Sequence, residues 1–393
     1  MAVSSKIEAI MEKSSWIRKM FEEGTRLKAI HGDQNVFDFS IGNPIQPPPP
    51  QFNAALIDTV KNLGPGDHGY LPNPGYPFVR KAIADQVSIE NDVTVADTHI
   101  TITCGAAGAL NVVLKTILNP GEEVVVPAPY FVEYGFYADN HGGVLKAVPT
   151  RSDFSLDIDA MASAITEKTR AVIINSPNNP TGQIYTKQNL SVLGSLLREK
   201  SALFGSAIYL ISDEPYRKIV YDDVQVPSIF SVYAESMIIT SYSKDISIPG
   251  ERLGFIALSP QAVDSQMLLN GLALSNRILG FVNAPALMQR VVAAVQGATI
   301  DMSAYARKRE ILCRGLAEAG YEFVTPPGAF YLFPKSPVAD DVAFVQALQE
   351  ELILTVPGSG FGGPGYFRIS FSVPDETITG ALPGFKKVMA KFR

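Results

Sequence analysis

The chain has 393 residues, of which 46% are hydrophobic and 18% are charged, and its formal net charge is −6. This composition supports a large buried core and argues against disorder, and the length allows roughly two or three domains. The negative charge disfavours nonspecific nucleic-acid binding, so any anionic ligand must be held by local cations and helix ends.

Several classes of protein are disfavoured by simple patterns. Because no run of about 18 apolar residues occurs, no transmembrane helix is expected. Residues 1–8 lack the apolar segment of a signal peptide and contain an acidic residue, which also argues against a transit peptide. The two cysteines, Cys104 and Cys313, fit a reducing compartment, and we therefore expect a cytoplasmic protein. The four histidines lack metal-ligand spacing, so no metal site is expected.

Strand-like and helix-like segments alternate through the first part of the chain, after a stiff proline run at 47–50. Strands are predicted at 99–103, 123–126, 144–148, 171–175, 207–212, 237–241 and 255–258. Helices are predicted at 107–118, 131–140, 158–164 and 187–200. Since the strands are continuous Val, Ile and Leu runs, they indicate a sheet covered on both faces. The pattern predicts an α/β fold with a mostly parallel sheet.

The last hundred residues have a different pattern. Residues 286–320 are nearly all helical in their apolar spacing, and short strands are predicted at 330–333, 353–356 and 366–371. We therefore predict a second, smaller α+β domain. The stretch 358–363 satisfies G-x-G-x-x-G, but a strand follows it where a dinucleotide site needs a helix. It is predicted to be a mobile active-site loop.

Four motifs contain the groups that pyridoxal phosphate requires. Lys244 ends Ser-Tyr-Ser-Lys after an apolar strand and offers an amine. Asp213 ends another apolar strand, where its carboxylate would face the ligand-binding edge of a parallel sheet and favour a protonated ring nitrogen. Asn179 opens an Asn-Pro-Thr-Gly turn, and Arg368 lies in an alternating strand, where its planar fork suits a carboxylate.

Phosphate donors are also present. The loop at 105–108 links a strand to a helix, and its small residues allow backbone N–H groups and the helix dipole to contact an anion. Two serines and an arginine near Lys244 can supply the remaining donors. The predicted phosphate ligands are Gly105, Ala106, Ala107, Ser241, Ser243 and Arg252.

In their order and spacing, these motifs resemble the class I/II aminotransferases, the fold-type-I pyridoxal-phosphate enzymes. The resemblance runs from about position 42 to about 368. It implies a large domain with a mostly parallel central sheet, a smaller α+β domain, and an N-terminal arm that packs with the smaller domain. The resulting predicted divisions are 1–50 for the arm, 51–285 for the large domain and 286–393 for the small domain.

The resemblance also implies roles at the cofactor. Lys244 holds the cofactor covalently and later moves the Cα proton. Asp213 pairs with the ring nitrogen, and Tyr216, in the family's Asp-x-x-Tyr motif, bonds the phenolic oxygen. Asn179 donates to the same oxygen and touches the substrate carboxylate, although Asn178 is its neighbour and an alternative.

Further roles concern the substrate and the ring face. Arg368 and the backbone at Gly42 are expected to bind the substrate α-carboxylate. Phe131 is expected to stack on the pyridine ring, although many relatives have tryptophan there and Tyr130 is a competing choice.

Two residues depend on a partner or on the substrate. Tyr70 matches a tyrosine that reaches the phosphate of the neighbouring subunit, which implies a homodimer with shared sites; its alternative is a buried core tyrosine. Arg277 lies near the region where dicarboxylate-specific relatives hold a distal carboxylate, but it could equally be a surface residue.

The predicted function is a pyridoxal-phosphate-dependent aminotransferase with a ping-pong cycle. Its expected partners are an α-amino acid, with aspartate as first choice, and a 2-oxo acid such as 2-oxoglutarate. Alternatives are C–S β-elimination or decarboxylation on the same fold, or a non-catalytic regulatory protein. The full set of predicted site residues argues against the last alternative.

Overall fold

The structure is a computed structural model that describes residues 2–12 and 16–392, so positions 1 and 13–15 of the predicted arm and position 393 lie outside it. Within the described residues the helices are α1 Ser5–Glu12, α2 Trp16–His31, α3 Pro50–Lys61, α4 Pro77–Asn91, α5 Gly105–Ile117, α6 Glu133–Asp139, α7 Ile158–Ala164, α8 Lys187–Phe204, α9 Tyr242–Asp245, α10 Ser265–Ile278, α11 Ala286–Ala293, α12 Met302–Ala319, α13 Asp341–Glu350 and α14 Asp375–Lys391. The strands are β1 Phe37–Asp38, β2 Ile100–Thr103, β3 Glu123–Ala128, β4 Val144–Pro149, β5 Thr169–Asn175, β6 Tyr209–Asp213, β7 Ser236–Ser241, β8 Gly254–Leu258, β9 Tyr331–Leu332, β10 Ile353–Leu354, β11 Val356–Pro357 and β12 Phe367–Ser370.

The main sheet has seven strands in the order β2-β8-β7-β6-β5-β3-β4. Strands β4, β3, β5, β6 and β7 are parallel neighbours, which confirms the predicted α/β fold with a mostly parallel sheet. Strand β8 is antiparallel to both of its neighbours, β7 and β2. The sequence analysis did not predict this reversal. The β7–β8 connection contains only the four-residue α9 and a 3₁₀ turn, instead of the long crossover that a parallel return needs.

Both faces of this sheet are covered, as the continuous apolar strands predict. Neighbouring residues of a strand face opposite sides, so Val172 and Ile174 pack into one apolar layer. Ala171 and Ile173 pack into the other, together with α5 and α10 side chains. Because both layers exclude water, the polar ends of the strands are the places where a ligand can meet the sheet.

A separate apolar core surrounds two small sheets. Strands β11, β12 and β9 form an antiparallel sheet, and β1 pairs in parallel with β10. Buried aromatic residues, including Phe330, Phe344 and Phe367, fill this core. Phe39, from the N-terminal part of the chain, belongs to the same core and lies 6.0 Å from the Phe385 ring. The predicted divisions after positions 50 and 285 remain predictions.

Some predicted boundaries need correction. Helix α6 begins at Glu133 and not at 131, and α5 begins at Gly105 and not at 107. The strand predicted at 353–356 is two short strands, β10 and β11, in different sheets. No helix among the described residues has both the length and the apolar character needed to cross a membrane.

Candidate active site

A pocket lies at the carboxyl ends of the central parallel strands. Asn175 and Asp213 are register partners at the ends of β5 and β6, and Ser241 ends β7. The pocket contains most of the residues predicted from the sequence: Gly42, Ala106, Ala107, Phe131, Asn179, Asp213, Tyr216, Ser241, Ser243, Lys244, Arg252 and Arg368. Segments far apart in the chain therefore meet at one edge of the sheet.

Lys244 lies in α9, directly after β7, and its side chain enters the pocket. Its Nζ donates to the Gly42 carbonyl oxygen at 2.6 Å and lies 5.6 Å from the centre of the Phe330 ring. Burial, and to a smaller extent the nearby cations Arg368 and Arg252, lower the pKa of the Lys244 amine to about 8. A larger fraction of this amine than of an ordinary lysine is therefore neutral near pH 8.

Asp213 is 5% exposed, and one of its two carboxyl oxygens has no hydrogen-bond partner in the described part of the chain. Tyr134 donates to Oδ2 at 2.5 Å, while the buried Oδ1 accepts no hydrogen bond among the described residues. Burial raises the pKa of the Asp213 carboxyl to about 7, although the Tyr134 hydroxyl acts in the opposite direction. Such an environment favours a cationic N–H donor beside Oδ1.

The start of α5 and Arg252 form an anion-binding corner. Gly105 has a φ of +72°, and a Cβ there would lie 3.1 Å from Arg252 Nη2, so a glycine allows the close approach. Ala106 and Ala107 follow in the first turn of α5, where the backbone N–H groups lack helical partners. Arg252 is itself in the left-handed region with φ 53°, and its Nη1 donates to the Pro249 carbonyl at 2.9 Å.

Arg368 is 2% exposed, and among the residues described it pairs with no carboxylate and its Nε has no hydrogen-bond partner. Its Nη1 donates to Asn179 Oδ1 at 3.0 Å and its Nη2 to the Ser40 carbonyl at 2.6 Å. The rings of Tyr331 and Phe361 each lie 4.7 Å from the guanidinium carbon. A buried guanidinium without a counter-ion favours an anionic ligand, because an unpaired buried charge is costly.

Tyr216 and Gly42 lie beside this guanidinium. The Tyr216 hydroxyl is 2.8 Å from the Tyr331 hydroxyl, and either can donate. A Cβ on Gly42 would overlap the Tyr331 hydroxyl, so the N-terminal segment can approach the pocket this closely only with glycine at that position.

The structure also distinguishes each predicted pocket residue from the neighbour that was its alternative. Asn178 Oδ1 accepts from the backbone N–H and the hydroxyl of Thr181, so its side chain stabilises the turn while Asn179 faces the pocket. Phe131 lines the pocket, whereas Tyr130 lies against Gly362.

Tyr70 and Arg277 are not brought into the pocket of this chain. Tyr70 is 94% exposed, so the alternative of a buried core tyrosine is wrong. Arg277 is exposed in the last turn of α10 and does not line the pocket within the described part of the chain.

Sequence reasoning missed several residues that line the pocket or contact its side chains. Asn175 donates to the Asp213 carbonyl at 2.7 Å and accepts from the Asn179 backbone N–H at 2.6 Å, so it joins two motifs. Tyr134 and Tyr331 contact Asp213 and Tyr216 through their hydroxyls. Asn175 follows an apolar strand as Asp213 does, and this position was the available signal. The two tyrosines had no local signal, because core tyrosines share their sequence context.

The pocket fits pyridoxal phosphate by the chemistry of its donors and acceptors. The free Oδ1 of Asp213 can accept from a protonated ring nitrogen. The corner formed by Gly105 and Arg252 can hold a phosphate, and Lys244 offers an amine with a lowered pKa.

Known proteins are similar to this chain over most of its length. The family model of aminotransferase class I and II matches residues 34–384. A probable aspartate/prephenate aminotransferase of Aquifex aeolicus is 31% identical, with 90% of this chain and 91% of that protein covered. The aromatic-amino-acid aminotransferase 2 of Thermococcus litoralis is also 31% identical, with 99% and 98% covered.

Solved structures agree with this result. The crystal structure of an aminotransferase from Eubacterium rectale superposes with a TM-score of 0.97 at 37% identity, over 100% of both chains. Since the family model covers most of the chain and the geometry provides an amine, a carboxylate and an arginine fork in one pocket, the chain belongs to aminotransferase class I and II and is an aminotransferase.

Proposed function

We propose that this aminotransferase binds pyridoxal 5′-phosphate covalently through Lys244. The observation that carries the proposal is the Lys244 amine, with its pKa lowered to about 8, in one pocket with the unpartnered Oδ1 of Asp213. When bound, the cofactor supplies an electron sink and a carrier for the amino group. The cofactor phosphate is held by Ser241, Ser243, Arg252 and the backbone amides from Gly105 to Ala107.

The side chains of the pocket bind the substrate, transfer a proton and contact the cofactor ring. Arg368 binds and orients the substrate α-carboxylate, with Asn179 and the Gly42 backbone beside it. Lys244 takes the proton from the substrate Cα when its amine is free and neutral. Asp213 keeps a proton on the ring nitrogen, Tyr216 bonds the phenolic oxygen, and Phe131 covers the ring face.

For substrates we propose an α-amino acid, with aspartate as first choice, and 2-oxoglutarate as acceptor in a ping-pong cycle. The name of the Aquifex relative supports aspartate, but the Thermococcus relative, named for aromatic amino acids, is equally similar. Arg277 is exposed, so in this proposal it contributes to a distal-carboxylate site only through the neighbouring subunit. A panel of amino donors assayed against 2-oxoglutarate tests the choice.

We further propose a cytoplasmic homodimer with shared active sites. The exposed side chain of Tyr70 supports the dimer, since the phenol is available to a second subunit. The unpaired thiols of Cys104 and Cys313 support a reducing compartment.

Borohydride reduction tests the attachment. The wild-type protein should bind pyridoxal phosphate with a visible absorption band, and borohydride should fix the cofactor on the peptide that contains Lys244. The Lys244→Ala variant should carry no fixed cofactor. Fixation on that variant at another lysine, with transaminase turnover retained, would contradict the assignment.

A further inference from the structure

A cluster of charged side chains lies behind the active site. Arg217 Nη1 contacts Glu214 Oε2 at 2.7 Å, and its Nε lies 3.9 Å from Glu90 Oε2. Lys218 Nζ lies 3.5 Å from both Glu90 Oε1 and Asp245 Oδ2. The described cluster therefore holds three carboxylates against two cations, in a small cavity that borders the ends of β6 and β7.

Glu214 connects this cluster to the active site. It follows Asp213 directly, and since successive residues of an extended chain point to opposite sides, Asp213 faces the cofactor pocket while Glu214 faces the cluster. The Glu214 side chain is 1% exposed. The Ser212 hydroxyl donates to Oε1 at 2.7 Å and Arg217 to Oε2, so both carboxyl oxygens are held.

The backbone of Glu214 is held as well. Its N–H donates to the Ile239 carbonyl at 2.7 Å, and the Thr240 hydroxyl donates to its carbonyl at 2.9 Å. These bonds extend the pairing of β6 with β7 by one residue beyond Asp213. The Glu214 carboxylate therefore has a fixed distance from Asp213, in an interior where charges interact more strongly than in water.

We propose that Glu214 is a positioning residue whose buried negative charge adds to that of Asp213 and favours the protonated ring nitrogen of the bound cofactor. This inference rests on the proposed cofactor. The charge of Glu214 raises the pKa of the Asp213 carboxyl, in the same direction as burial. A potential that holds a proton on Asp213 also holds a proton on a ring nitrogen beside it.

Arg217 and Lys218 limit the size of this effect but do not cancel it. Burial raises the pKa of the Glu214 carboxyl, and the Arg217 guanidinium and the Ser212 hydroxyl oppose part of that rise and favour the carboxylate. The arginine also donates to the Glu90 and Val226 carbonyls, both at 3.1 Å, so it has a structural role of its own. A test must therefore separate the charge of Glu214 from its shape.

Two substitutions make that separation. Glu214→Gln keeps the length of the side chain and removes the charge; its amide oxygen can accept from Arg217, and its NH2 group can donate to the Ser212 hydroxyl oxygen. Glu214→Asp keeps the charge and shortens the side chain. Glu90→Gln is the matched control, because it removes the same charge from the same cluster on α4, away from Asp213.

The readout is the ¹⁵N resonance of ring-labelled pyridoxal phosphate in each holoenzyme, followed between about pH 6 and pH 9. We expect Glu214→Gln to move the resonance towards that of an unprotonated ring, equivalent to a fall of about one unit in the pKa of the ring nitrogen. Glu214→Asp and Glu90→Gln should keep the wild-type resonance, even where they lower the melting temperature.

Each outcome decides the matter. A resonance that Glu214→Gln leaves unmoved, or that Glu214→Asp shifts equally, overturns the charge role and leaves only an anchoring role. If the glutamine variant does not fold, Glu214→Met, a second uncharged side chain of similar length, decides by the same criterion: a resonance moved towards that of an unprotonated ring supports the charge role, and an unmoved one overturns it. Absence of bound cofactor in the wild-type protein would instead overturn the proposed function, and this inference with it.

Discussion

Burial moves the two principal ionisable groups of the site towards their neutral forms. The pKa of Lys244 falls to about 8 and that of Asp213 rises to about 7. The neutral Lys244 amine can react with a carbonyl group or accept a proton. A protonated Asp213, by contrast, carries no negative charge to stabilise a cationic ring nitrogen. The cofactor's own positive ring must therefore restore the ionised form of Asp213 on binding.

The Asp213 carboxyl should make the stability of the cofactor-free protein depend on pH. Its pKa is about 7 when folded and about 3.9 when unfolded, so between these values the folded state binds more protons and stability falls as pH rises. Asn cannot titrate. We expect the free energy of unfolding of wild type minus that of Asp213→Asn to fall by about 4 kcal/mol from pH 4 to above pH 7.

Denaturant unfolding of both cofactor-free proteins across this range measures the difference. Taking the difference removes the contributions of the other titrating groups, such as Asp245, that the two proteins share. Parallel stability curves for the two proteins would show that Asp213 has an ordinary pKa.

Arg368 should be sensitive to the loss of its planar fork. In Arg368→Lys the charge remains, but an ammonium cannot donate to Asn179, Ser40 and a carboxylate in one plane. We expect kcat/KM for the amino donor to fall by roughly one to three decades, about 1.4 kcal/mol each, with cofactor binding nearly unchanged. Steady-state kinetics and the visible band measure both, and unchanged turnover would reject the role.

Among the individual site residues, the sequence predicted those that are marked by an apolar strand or by a motif. Lys244 follows an apolar strand, Asp213 ends one and Arg368 lies within one, and all three line the pocket. Tyr134 and Tyr331 could not be predicted, because their contacts join segments distant in the chain.

At the scale of elements, the reversed strand β8 shapes the phosphate corner. Gly254, its first residue, passes so close to the backbone that a Cβ would lie 2.5 Å from the Thr240 carbonyl oxygen. The same Cβ would lie 2.8 Å from the Gly105 carbonyl carbon and 3.0 Å from the Ala106 nitrogen. Backbone atoms cannot rotate away, so a methyl group here must displace the strand or the start of α5.

Gly254→Ala should therefore lower both stability and cofactor affinity. We expect a loss of about 2 kcal/mol in the free energy of unfolding, as for other overpacked sites, and weaker cofactor binding because the amides of α5 are displaced. Gly250→Ala is the control, since within the described residues no atom other than those of its chain neighbours lies within 4 Å of a Cβ there. Denaturant unfolding and cofactor titration measure the two effects, and equal behaviour of both variants would contradict the packing argument.

The elements themselves were largely predictable because apolar runs and helical spacing are local. The direction of β8 was not, since it depends on how the β7–β8 connection packs. The division of the strand predicted at 353–356 into β10 and β11 was also not predictable from the sequence. Strand β10 pairs with β1 and β11 pairs with β12, and neither partner is near in sequence.

At the scale of the whole molecule, the loop that carries Tyr70 is ordered although Tyr70 itself is exposed. Asn283 Nδ2 donates to the Leu71 carbonyl at 2.9 Å, and Arg290 pairs with Asp67 at 2.5 Å. The Arg290 guanidinium carbon also lies 4.7 Å from the centre of the Tyr76 ring. Because these contacts hold the loop against the rest of the chain while the Tyr70 phenol is 94% exposed, Tyr70 is available for a contact with another molecule.

A homodimer would bring this phenol to the phosphate of the second subunit, and complementation tests that arrangement. Lys244→Ala and Tyr70→Ala should each be severely impaired alone. Mixed under conditions of subunit exchange, they should regain part of the activity, because one site of each mixed dimer keeps both native residues. Symmetric dimers are also the commonest oligomers.

The experiment needs two controls. Exchange must be shown independently with differently tagged subunits, and Tyr70→Ala must be impaired before mixing. Phe78→Ala serves as a matched substitution, because Phe78 is also an exposed aromatic, at 51%, but has no proposed contact with the phosphate. It should remain active alone. Confirmed exchange without regained activity would count against shared sites, and a monomer by light scattering at assay concentration would exclude the dimer.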